Sequence, residues 1–411
     1  MRVWIFQTGE PLPIDKDGFR QMRAANLAEA LIRAGHTVEI WSADFNHFTK
    51  THRRKDGASI RYSENLSLNL IPSIGYKSHF GLFRILDHIQ LGLNLRKKLR
   101  NSRPPDVAFV GYPPIEPAWV LSRWLSKHDI PFIVDVKDLW PDIYLRAFPR
   151  FLEKFITLII FPYKKMMIKI LRLADGISAP SEEFLNFCKS RRASSDSIFD
   201  CVNPLTTTLP RLSKVEQNEG LNWLTKENVF QTNKLKIGFV GTLNKNADFD
   251  QIIEASSQLD IELVIAGDGP ILKSLETKTR YMPNVKLLGW ISQIQSSALI
   301  SRSDLMLIPF KPTEDFQMII TNKFYDSISH GKPILTSLSG ALGALIDKYQ
   351  IGIVYEPRNT IHLMNTLSEL QLNRSKIVEM GTNAKKLYDM KFNFESVYGS
   401  LVKTLEVLHD K

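Results

Sequence analysis

The sequence has few cysteines and no long apolar run. Only Cys188 and Cys201 occur in 411 residues, which excludes a disulfide framework and the ligand spacing of a zinc site. No window has the roughly 20 uninterrupted apolar residues that a membrane-spanning helix needs, and Phe155–Phe161 is followed at once by Pro162. Met1–Thr8 has the pattern of a strand rather than a signal peptide. These absences predict a cytoplasmic protein with reduced thiols.

The sequence also lacks a concentrated basic segment, although its net charge is +10. A basic excess suits nucleic acid, an anionic membrane surface or a phosphorylated substrate. The basic residues lie in short groups such as Arg96–Lys98 and Lys164–Lys165. No zinc-finger spacing, RNP-type motif or basic-leucine heptad accompanies them. We therefore expect no nucleic-acid partner.

Strand and helix signals alternate along the chain, as at Arg2–Phe6, Phe19–Ala34 and Thr37–Ser42. Strands joined by helices predict α/β architecture with parallel, doubly wound sheets. The length favours two domains. Because the pattern stops in a polar stretch and restarts near residue 235, we predict an N-terminal domain over residues 1–205, a linker over 206–233 and a C-terminal domain over 234–393.

The segment from Ile320 to Ser337 predicts a short helix, a turn and a strand. Thr321 or Asn322 can cap the helix, Gly331 suits its C-terminal end, and Pro333 prevents its continuation. One arc of the helix is apolar, and the opposite arc carries Asn322, Lys323, Asp326, Ser329 and His330. Polar groups of this kind near a helix N-terminus suit a phosphate-bearing ligand.

Two further candidate binding segments follow strands in the C-terminal half. Gly241 ends an apolar strand, and Thr242, Asn244 and Lys245 lie in the turn that leads to the next helix. Such a turn can present backbone N–H groups to an anion, although an ordinary βα turn explains it equally well. Trp290 follows another strand and is either a pocket wall or a packed loop aromatic.

In the N-terminal half, a buried strand ends in the charged sequence from Asp135 to Asp142. Parallel sheets bind ligands at the carboxyl ends of their strands, so Lys137 and Asp138 are candidate catalytic residues. A lysine is protonated at neutral pH and can stabilise negative charge, but it is not a ready general base. Gly18 and Arg20 lie in the loop after the first strand. Two Asp-x-Asp triplets do not follow strands in the manner of a metal site, and we expect no metal.

Two segments mix large apolar residues with lysines and arginines. They are Tyr76–Arg103 and Phe151–Ala174. One interpretation places them on an anionic leaflet at the inner face of the plasma membrane. The other treats them as ordinary domain helices whose lysine stems cover apolar surface. The sequence leaves both open.

The segment at Asn322–Pro333 resembles the donor-binding segment of GT-B glycosyltransferases of the retaining family 4. In the bacterial surface-polysaccharide branch it often has the form Asn-Lys-Phe-Phe-Glu-Tyr-Leu-Ser-Ala-Gly-Lys-Pro. The segment from Asp135 to Asp142 resembles that branch's Asp-Val-Arg-Asp-Leu-Trp-Pro-Asp. The resemblance spans nearly the whole chain. It implies two Rossmann-like domains facing a cleft, with residues 394–411 crossing back to the N-terminal domain.

The resemblance also implies roles for particular residues. The Gly241–Thr242 turn, Asn244, Lys245 and Lys323 would bind the donor diphosphate, and Asp326 would bind the ribose. Asn322 and Trp290 would complete the donor site. Lys137, Asp138, Gly18 and Arg20 would line the sugar and acceptor side. The chain departs from the family pattern at several positions, and one of them is Asp326, a shorter acid than the glutamate of the motif. Met318 replaces the first glutamate of an acidic pair, and Thr242 and Ala247 occupy positions where many members have arginine and lysine.

The function implied is a metal-independent, retaining hexosyltransferase without a cofactor. It would transfer a sugar from a nucleotide sugar to a lipid-linked saccharide in bacterial O-antigen, capsule or exopolysaccharide synthesis. UDP is favoured because it is common in the family. Two alternatives remain. A GT-B-type nucleotide-sugar epimerase would share the donor site, and a catalytically silent nucleotide-sugar-binding or scaffold protein would explain the missing glutamate.

Overall fold

The computed structural model describes residues 1–15, 20–54, 58–77, 81–142, 150–192, 196–206 and 212–411. The chain separates into two compact units. Unit 1 comprises Met1–Thr207 together with Phe394–Lys411, and unit 2 comprises Thr208–Asn393. Each unit is an α/β fold built on a largely parallel sheet, as the alternating sequence signals predict.

Unit 1 contains an eight-stranded sheet with the order β10-β9-β8-β7-β1-β2-β6-β5. The strands of the sheet are β1 Arg2–Phe6, β2 Thr37–Ala43, β5 Ser59–Arg61, β6 Leu66–Ile71, β7 Val107–Tyr112, β8 Phe132–Val136, β9 Gly176–Ala179 and β10 Cys201–Val202. A separate small hairpin consists of β3 Phe45–Asn46 and β4 Thr51–His52. Every residue of β7 and β8 is buried, as expected for parallel strands covered on both faces. Only the edge strand β5 runs antiparallel to its neighbour in the sheet. Strand order reverses between β1 and β7, where parallel sheets form a ligand crevice.

The helices of unit 1 that precede unit 2 are α1 Arg23–Arg33, α2 Leu82–Leu99, α3 Ile115–Lys127, α4 Glu153–Leu173 and α5 Glu182–Arg192. The sequence predicts that Pro162 stops the apolar run and that a helix starts at Lys164, but α4 continues through Pro162. A proline here removes the hydrogen bond to the carbonyl of Leu158. The Leu158 residue is 71% exposed, so water can satisfy that carbonyl. Among the described helices, α4 included, none is long and apolar enough to cross a bilayer.

Unit 2 contains a six-stranded parallel sheet with the order β13-β12-β11-β14-β15-β16. Its strands are β11 Leu235–Val240, β12 Ile261–Ala266, β13 Val285–Gly289, β14 Leu305–Ile308, β15 Ile334–Thr336 and β16 Gly352–Val354. Its helices are α6 Lys214–Lys226, α7 Asp250–Gln258, α8 Leu272–Thr279, α9 Gln293–Arg302, α10 Glu314–Met318, α11 Asn322–Ser329, α12 Ala341–Tyr349, α13 Thr360–Leu372 and α14 Arg374–Leu387. The order reverses between β11 and β14, so the turns after these strands flank the expected ligand crevice.

The region predicted as a linker contains an ordered helix of unit 2. At the start of α6, the Ser213 hydroxyl accepts from the Glu216 N–H at 3.2 Å, and the Glu216 carboxylate accepts from the Ser213 N–H at 2.7 Å. This reciprocal capping fixes the first turn. Leu224 packs into a buried cluster with Val264 and Ala298. The sequence favours a linker with a mobile or weakly helical insertion here, because the few apolar residues of α6 give a weak periodic signal.

The C-terminal segment completes the core of unit 1. A π-helical turn, Glu395–Gly399, leads into α15, Ser400–His409. The apolar residues of this segment join a buried cluster that contains residues from β1 and α1. The buried Tyr398 hydroxyl donates to the Thr206 carbonyl at 2.9 Å and accepts from Asn26 Nδ2 at 3.2 Å. The final helix therefore packs on the N-terminal unit, as the family resemblance implies.

Candidate functional site

The turn after β11 has a fixed backbone shape. The Gly241 N–H donates to the Ala266 carbonyl at 3.0 Å, which ties this turn to the end of β12. Gly241 and Gly267 have φ values of 148° and 149°, in a region that side chains disfavour. A Cβ atom on Gly267 would overlap the Gly241 carbonyl. Glycine at both positions therefore lets the two turns touch.

Lys323 reaches this turn from helix α11. A Cβ atom on Gly241 would lie 2.7 Å from the Lys323 ammonium nitrogen, so the lysine end group rests against the turn. The same nitrogen lies 5.6 Å from the Phe239 ring centroid and 5.1 Å from that of Phe310. These cation–π contacts orient the ammonium. The structure thus brings together Gly241 and Lys323, two predicted donor residues that are distant in sequence.

Asp326 and Asn322 share helix α11 with Lys323. All three side chains are partly exposed, and a spacing of three or four residues places neighbours on one helix face. Asn322 Oδ1 is buried and has no hydrogen-bond partner within the described chain. His330, predicted on the same polar arc, instead bonds the Asp326 carbonyl through Nδ1 at 2.9 Å and Ser297 Oγ through Nε2 at 2.9 Å. His330 therefore fastens the end of α11, and burial lowers the pKa of its imidazole.

The other predicted donor residues are placed differently. Asn244 Oδ1 accepts from the N–H groups of Asn246 and Ala247 at 3.0 and 3.2 Å, so this side chain closes its own turn. Thr242 and Lys245 are exposed in that turn. Trp290 is 76% exposed after β13, which argues against the packed-aromatic interpretation.

The short helix α10 ends at Met318, the position where the family resemblance implies a glutamate. Next to it, Gln317 Oε1 accepts from the Gly340 N–H at 2.5 Å, and a Cβ atom on Gly340 would overlap the Gln317 carbonyl. This contact anchors α10 to the start of α12. Sequence reasoning missed it because neither residue belongs to a recognisable motif.

Unit 1 has a cavity of about 210 Å³ at its own strand-order reversal. The loop after β1, the start of α2 and the residues after β7 and β8 form its walls. Its polar lining includes Gln7, Glu10, His47, Arg84, Lys137 and Asp138. Both predicted catalytic residues thus lie in one cavity. Arg20 is partly buried before α1 and is not among the described residues that line it, whereas Gly18 lies outside the described residues.

Lys137 is held between carboxylates. Its ammonium forms an ion pair with Glu10 and lies 3.7 Å from Asp135 Oδ2. Glu10 also accepts from the Ala24 N–H at 2.9 Å, and the fully buried Asp135 pairs with Arg23 at 2.5 Å. These partners pair with the Lys137 ammonium and limit its movement. Sequence reasoning missed Glu10 as the partner of Lys137, because the two are far apart in the chain.

Asp138 lies at the wall of the cavity with its side chain open to solvent. The surrounding protein raises the pKa of its carboxyl, while the charges of Arg84 and Lys137 oppose that rise. Asp138 is thus a carboxyl group in the cavity wall that interacts with two neighbouring cations.

A buried histidine and glutamate lie next to each other in this unit, and only His88 is among the cavity's lining residues. His88 Nδ1 is 3.7 Å from Glu116 Oε2. Burial, with the charges of Arg84 and His47, lowers the pKa of His88 to about 3. Burial raises the pKa of Glu116 to about 7. His88 is therefore neutral at physiological pH, and the contact is not an ion pair.

Family models match both units. A model of glycosyl transferases group 1 matches residues 224–387, and a model of glycosyltransferase family 4 matches residues 21–196. Together they take in most of the chain. The chain is therefore a glycosyltransferase with a family 4 domain and a group 1 domain. In this glycosyltransferase, the group 1 match includes the Gly241 turn and α11, and the family 4 match includes Lys137 and Asp138.

Solved structures show the same fold over the full length. Sucrose-phosphate synthase from Thermosynechococcus elongatus superposes with a TM-score of 0.75 at 15% identity, covering 100% of this chain and 99% of that one. The Anabaena protein Alr3699/HepE in complex with UDP gives a TM-score of 0.68 at 12% identity, with 99% of both chains covered. The structural similarity establishes the GT-B fold of this glycosyltransferase. Sequence identities this low leave its substrates open.

One curated relative is the uncharacterized glycosyltransferase MJ1178 of Methanocaldococcus jannaschii. It is 24% identical over 192 residues, which span 46% of this chain and 53% of the relative. The match thus takes in about half of the relative's length. It agrees with the family assignment of this glycosyltransferase.

Proposed function

We propose that this protein transfers a sugar from a UDP-sugar to a lipid-linked saccharide or a similar acceptor, with retention of anomeric configuration. The observation that carries the proposal is the position of the Lys323 ammonium against the Gly241 turn, with Asp326 on the same helix. Related folds support the choice of donor. Anabaena Alr3699/HepE has been solved with UDP, with UDP and glucose, and with UDP-glucose.

In the proposed reaction, unit 2 binds the donor. Backbone N–H groups at the Gly241 turn and the Lys323 ammonium offset the charge that grows on the departing diphosphate. Asp326 accepts hydrogen bonds from the ribose hydroxyls. Since Lys323 can stabilise the diphosphate directly, the proposed mechanism requires no metal ion or other cofactor. It also explains how the chain can dispense with the loop arginine and lysine that many relatives have.

Unit 1 would bind the acceptor in the cavity beside Lys137 and Asp138. Lys137 already has two carboxylate neighbours, so we assign it the role of a fixed positive charge near the transferred sugar. We assign Asp138 the role of accepting a hydrogen bond from a hydroxyl group of the acceptor. The setting we propose is the assembly of a bacterial surface polysaccharide such as O-antigen, capsule or exopolysaccharide.

Two helices of unit 1 favour peripheral attachment to the inner face of the plasma membrane. On α2, Leu82 and Phe83 are 77% and 74% exposed, and beside or on α4, Phe151 and Leu158 are 82% and 71% exposed. Exposed apolar residues at this density are typical of interaction surfaces. Both helices pack against α3, where Arg123 and Lys169 lie 5.4 and 5.7 Å from the Trp119 ring centroid. Apolar and basic residues together suit an anionic leaflet.

The donor site is tested by calorimetric titration of UDP and UDP-glucose into the wild type, Lys323→Gln and Asp326→Ala. A charge-assisted hydrogen bond contributes about 1.5–3 kcal/mol, so each variant should weaken UDP binding by about tenfold to a hundredfold. The exposed Lys385→Gln variant of the same unit should bind UDP as the wild type does. Equal UDP affinity in wild type and Lys323→Gln would contradict the assignment.

A second candidate is a nucleotide-sugar-binding protein without turnover. It is favoured by Met318, which occupies the position of the first glutamate in the family pattern. The two candidates differ in their products. A transferase supplied with UDP-sugar and a membrane extract containing acceptors releases UDP and forms a labelled glycan, whereas a silent protein binds the donor and releases none.

A further inference from the structure

One wall of the unit 1 cavity brings two cations to a single aromatic ring. Lys50 Nζ lies 4.7 Å from the ring centroid of Tyr76, and Arg84 Cζ lies 5.6 Å from the same centroid. Arg84 is also 5.1 Å from the Trp140 ring centroid. Tyr76 and Arg84 both line the cavity that contains Lys137 and Asp138. The wall therefore concentrates positive charge next to the proposed site of reaction.

The β3–β4 hairpin fixes the position of Lys50. Its backbone adopts the left-handed conformation with a φ of 57°, and its N–H donates to the Asn46 carbonyl at 2.9 Å. Asn46 Oδ1 also accepts from the Phe48 and Thr49 N–H groups at 2.8 and 3.2 Å. These bonds close a tight turn and hold Lys50 at its end.

The Lys50 ammonium has an unsatisfied capacity for hydrogen bonds. Its nitrogen is shielded from water and has no hydrogen-bond partner among the residues that the structure describes. An ammonium carries three donors, and a buried charge without such bonds is costly. Burial, and then the charge of Arg84, lower the pKa of Lys50. An anion at this position would accept hydrogen bonds from the ammonium and would offset the cost of its buried positive charge.

The carboxylates of the cavity are already engaged elsewhere. Asp87 Oδ1 accepts from the Gly75 N–H at 2.8 Å and from Ser73 Oγ. Glu10 pairs with Lys137, and Asp138 lies in the field of Arg84 and Lys137. None of these three has a recorded bond to Lys50. These carboxylates therefore leave Lys50 without a negative partner among the residues that the structure describes, and a ligand can supply one.

We propose that Lys50 and Arg84 bind an oxyanion of the acceptor, either a phosphate or a sugar carboxylate. Arg84 offers a planar guanidinium that suits two oxygens, and Lys50 offers a flexible point charge that can turn toward them. His47 lines the same cavity and is held by a 2.6 Å hydrogen bond between Nδ1 and the Tyr76 hydroxyl. The inference rests on the proposed transferase function, and it adds that the acceptor is anionic.

An anion held at this wall would orient the rest of the acceptor toward Lys137 and Asp138. A phosphate would belong to the link between a saccharide and its lipid carrier, whereas a carboxylate would belong to an acidic sugar. Both make the same contacts to an ammonium and a guanidinium. A neutral saccharide would leave the Lys50 ammonium without an anionic partner among the described residues, so the site would disfavour it.

The test is calorimetric titration of the full chain at pH 7 in the presence of saturating UDP. The probes are methyl diphosphate, methyl phosphate, methyl glucuronoside and the neutral methyl glucoside. At least one anionic probe should bind the wild type, and Lys50→Gln should weaken it by about tenfold to a hundredfold. Lys50→Arg should restore most of the affinity. The matched control Lys403→Gln, at an exposed lysine of the same unit, should have no effect.

The pattern of probe binding decides between the sources of the anion. Preference for methyl diphosphate or methyl phosphate supports a lipid-linked phosphate, and preference for the glucuronoside supports an acidic sugar. The inference is overturned if no anion binds better than methyl glucoside, or if Lys50→Gln and Arg84→Gln both bind the anions as the wild type does.

Failure of the proposed function would look different. The anion titration does not require turnover. It therefore reports whether anion binding depends on Lys50 even in a chain that binds no UDP and transfers no sugar. In an active enzyme, Lys50→Gln should raise the acceptor KM by about tenfold or more while kcat stays within about twofold. The UDP affinity of Lys50→Gln should equal that of the wild type.

Discussion

Lys323 and Gly241 depend on each other at the scale of single residues. The space that a Cβ atom would need on Gly241 is occupied by the end of the Lys323 side chain. The lysine can therefore rest on the turn only because the turn has no side chain there. A single methyl group at residue 241 affects both the backbone of the turn and the position of the charge.

We expect Gly241→Ala to weaken UDP binding as much as Lys323→Gln does. The added methyl group displaces Lys323, and the φ of 148° strains any residue other than glycine, at a cost of about 1–3 kcal/mol in stability. Calorimetry with UDP and chemical unfolding measure the two effects. Gly399→Ala is the matched control, since Gly399 has a helical φ of −63° and a Cβ atom there meets only an ordinary contact at 3.7 Å. Unchanged UDP binding in Gly241→Ala would refute the coupling.

Glu116 makes a second prediction at this scale, concerning pH. Its carboxyl ionises near 4.5 when exposed and near 7 in the folded protein, so the folded state binds the proton more tightly. The free energy of unfolding therefore falls as pH rises from about 4.5 to about 7, by up to about 3 kcal/mol. The Glu116→Gln variant has no carboxyl group to ionise here, so its free energy of unfolding does not fall in this way. It should raise the melting temperature at pH 8 more than at pH 5.

Calorimetric melting of wild type and Glu116→Gln at pH 5 and pH 8 checks the effect. The exposed Glu369→Gln variant should shift the melting temperature equally little at both pH values. A stabilisation by Glu116→Gln that does not grow with pH would show that the carboxyl ionises normally. His88 acts in the opposite direction, because its lowered pKa reduces stability as pH falls from about 6.5 toward 3.

At the scale of elements, helix α2 has two different ends. Its first turn exposes Leu82 and Phe83 and also carries Arg84 into the cavity wall. Its last turn carries Arg96, Lys97 and Lys98. An apolar start beside the acceptor cavity, followed by a basic end, is an arrangement that could hold the cavity near a bilayer surface.

We expect the wild type to float with vesicles that contain anionic phospholipid, and the double variant Leu82→Ser, Phe83→Ser to lose most of this binding. Removing two exposed apolar side chains eliminates buried area in the interface, and raised salt should weaken the remaining attraction. Ile198→Ser is the control, since Ile198 is 85% exposed but lies outside α2 and α4. Equal flotation of all three proteins would favour the ordinary-helix interpretation.

Elements with strong local signals were predictable from the sequence. β1 has the predicted bounds, since an apolar strand is determined by nearby residues. Helix α6 gives only a weak helical signal in the sequence, because its stability comes from a capping box and from packing of Leu224 against distant residues. Pro162 was misjudged for a related reason. The cost of a proline in a helix depends on whether water reaches the affected carbonyl, which the sequence does not reveal.

The candidate sites were predictable to different degrees. The donor residues of α11 and the Gly241 turn form motifs that the family resemblance identifies, although their contact is a tertiary feature. The cavity of unit 1 was largely missed, because His47, Tyr76 and Arg84 come from separate segments and belong to no motif. Only the folded chain shows that Glu10 pairs with Lys137 and that the Lys50 ammonium has no hydrogen-bond partner among the described residues.

At the scale of the whole molecule, the family assignment and the proposed activity rest on different residues. The assignment depends on matches that extend over both units. The activity depends on a few side chains, among them Lys323, Asp326 and Lys137. Departures such as Met318 therefore leave the family membership intact while they bear directly on turnover. The net charge of +10 fits a protein whose proposed donor, acceptor and membrane surface are all anionic.

The contribution of residues 394–411 to the core of unit 1 has a consequence for synthesis. Leu401, Leu405 and Leu408 are among the buried residues of that core, yet they are translated after all of unit 2. Unit 2 is a continuous stretch, Thr208–Asn393, and its residues are all available earlier. On the ribosome, unit 2 can therefore finish folding before unit 1. The core of unit 1 remains incomplete until its last helix has been translated.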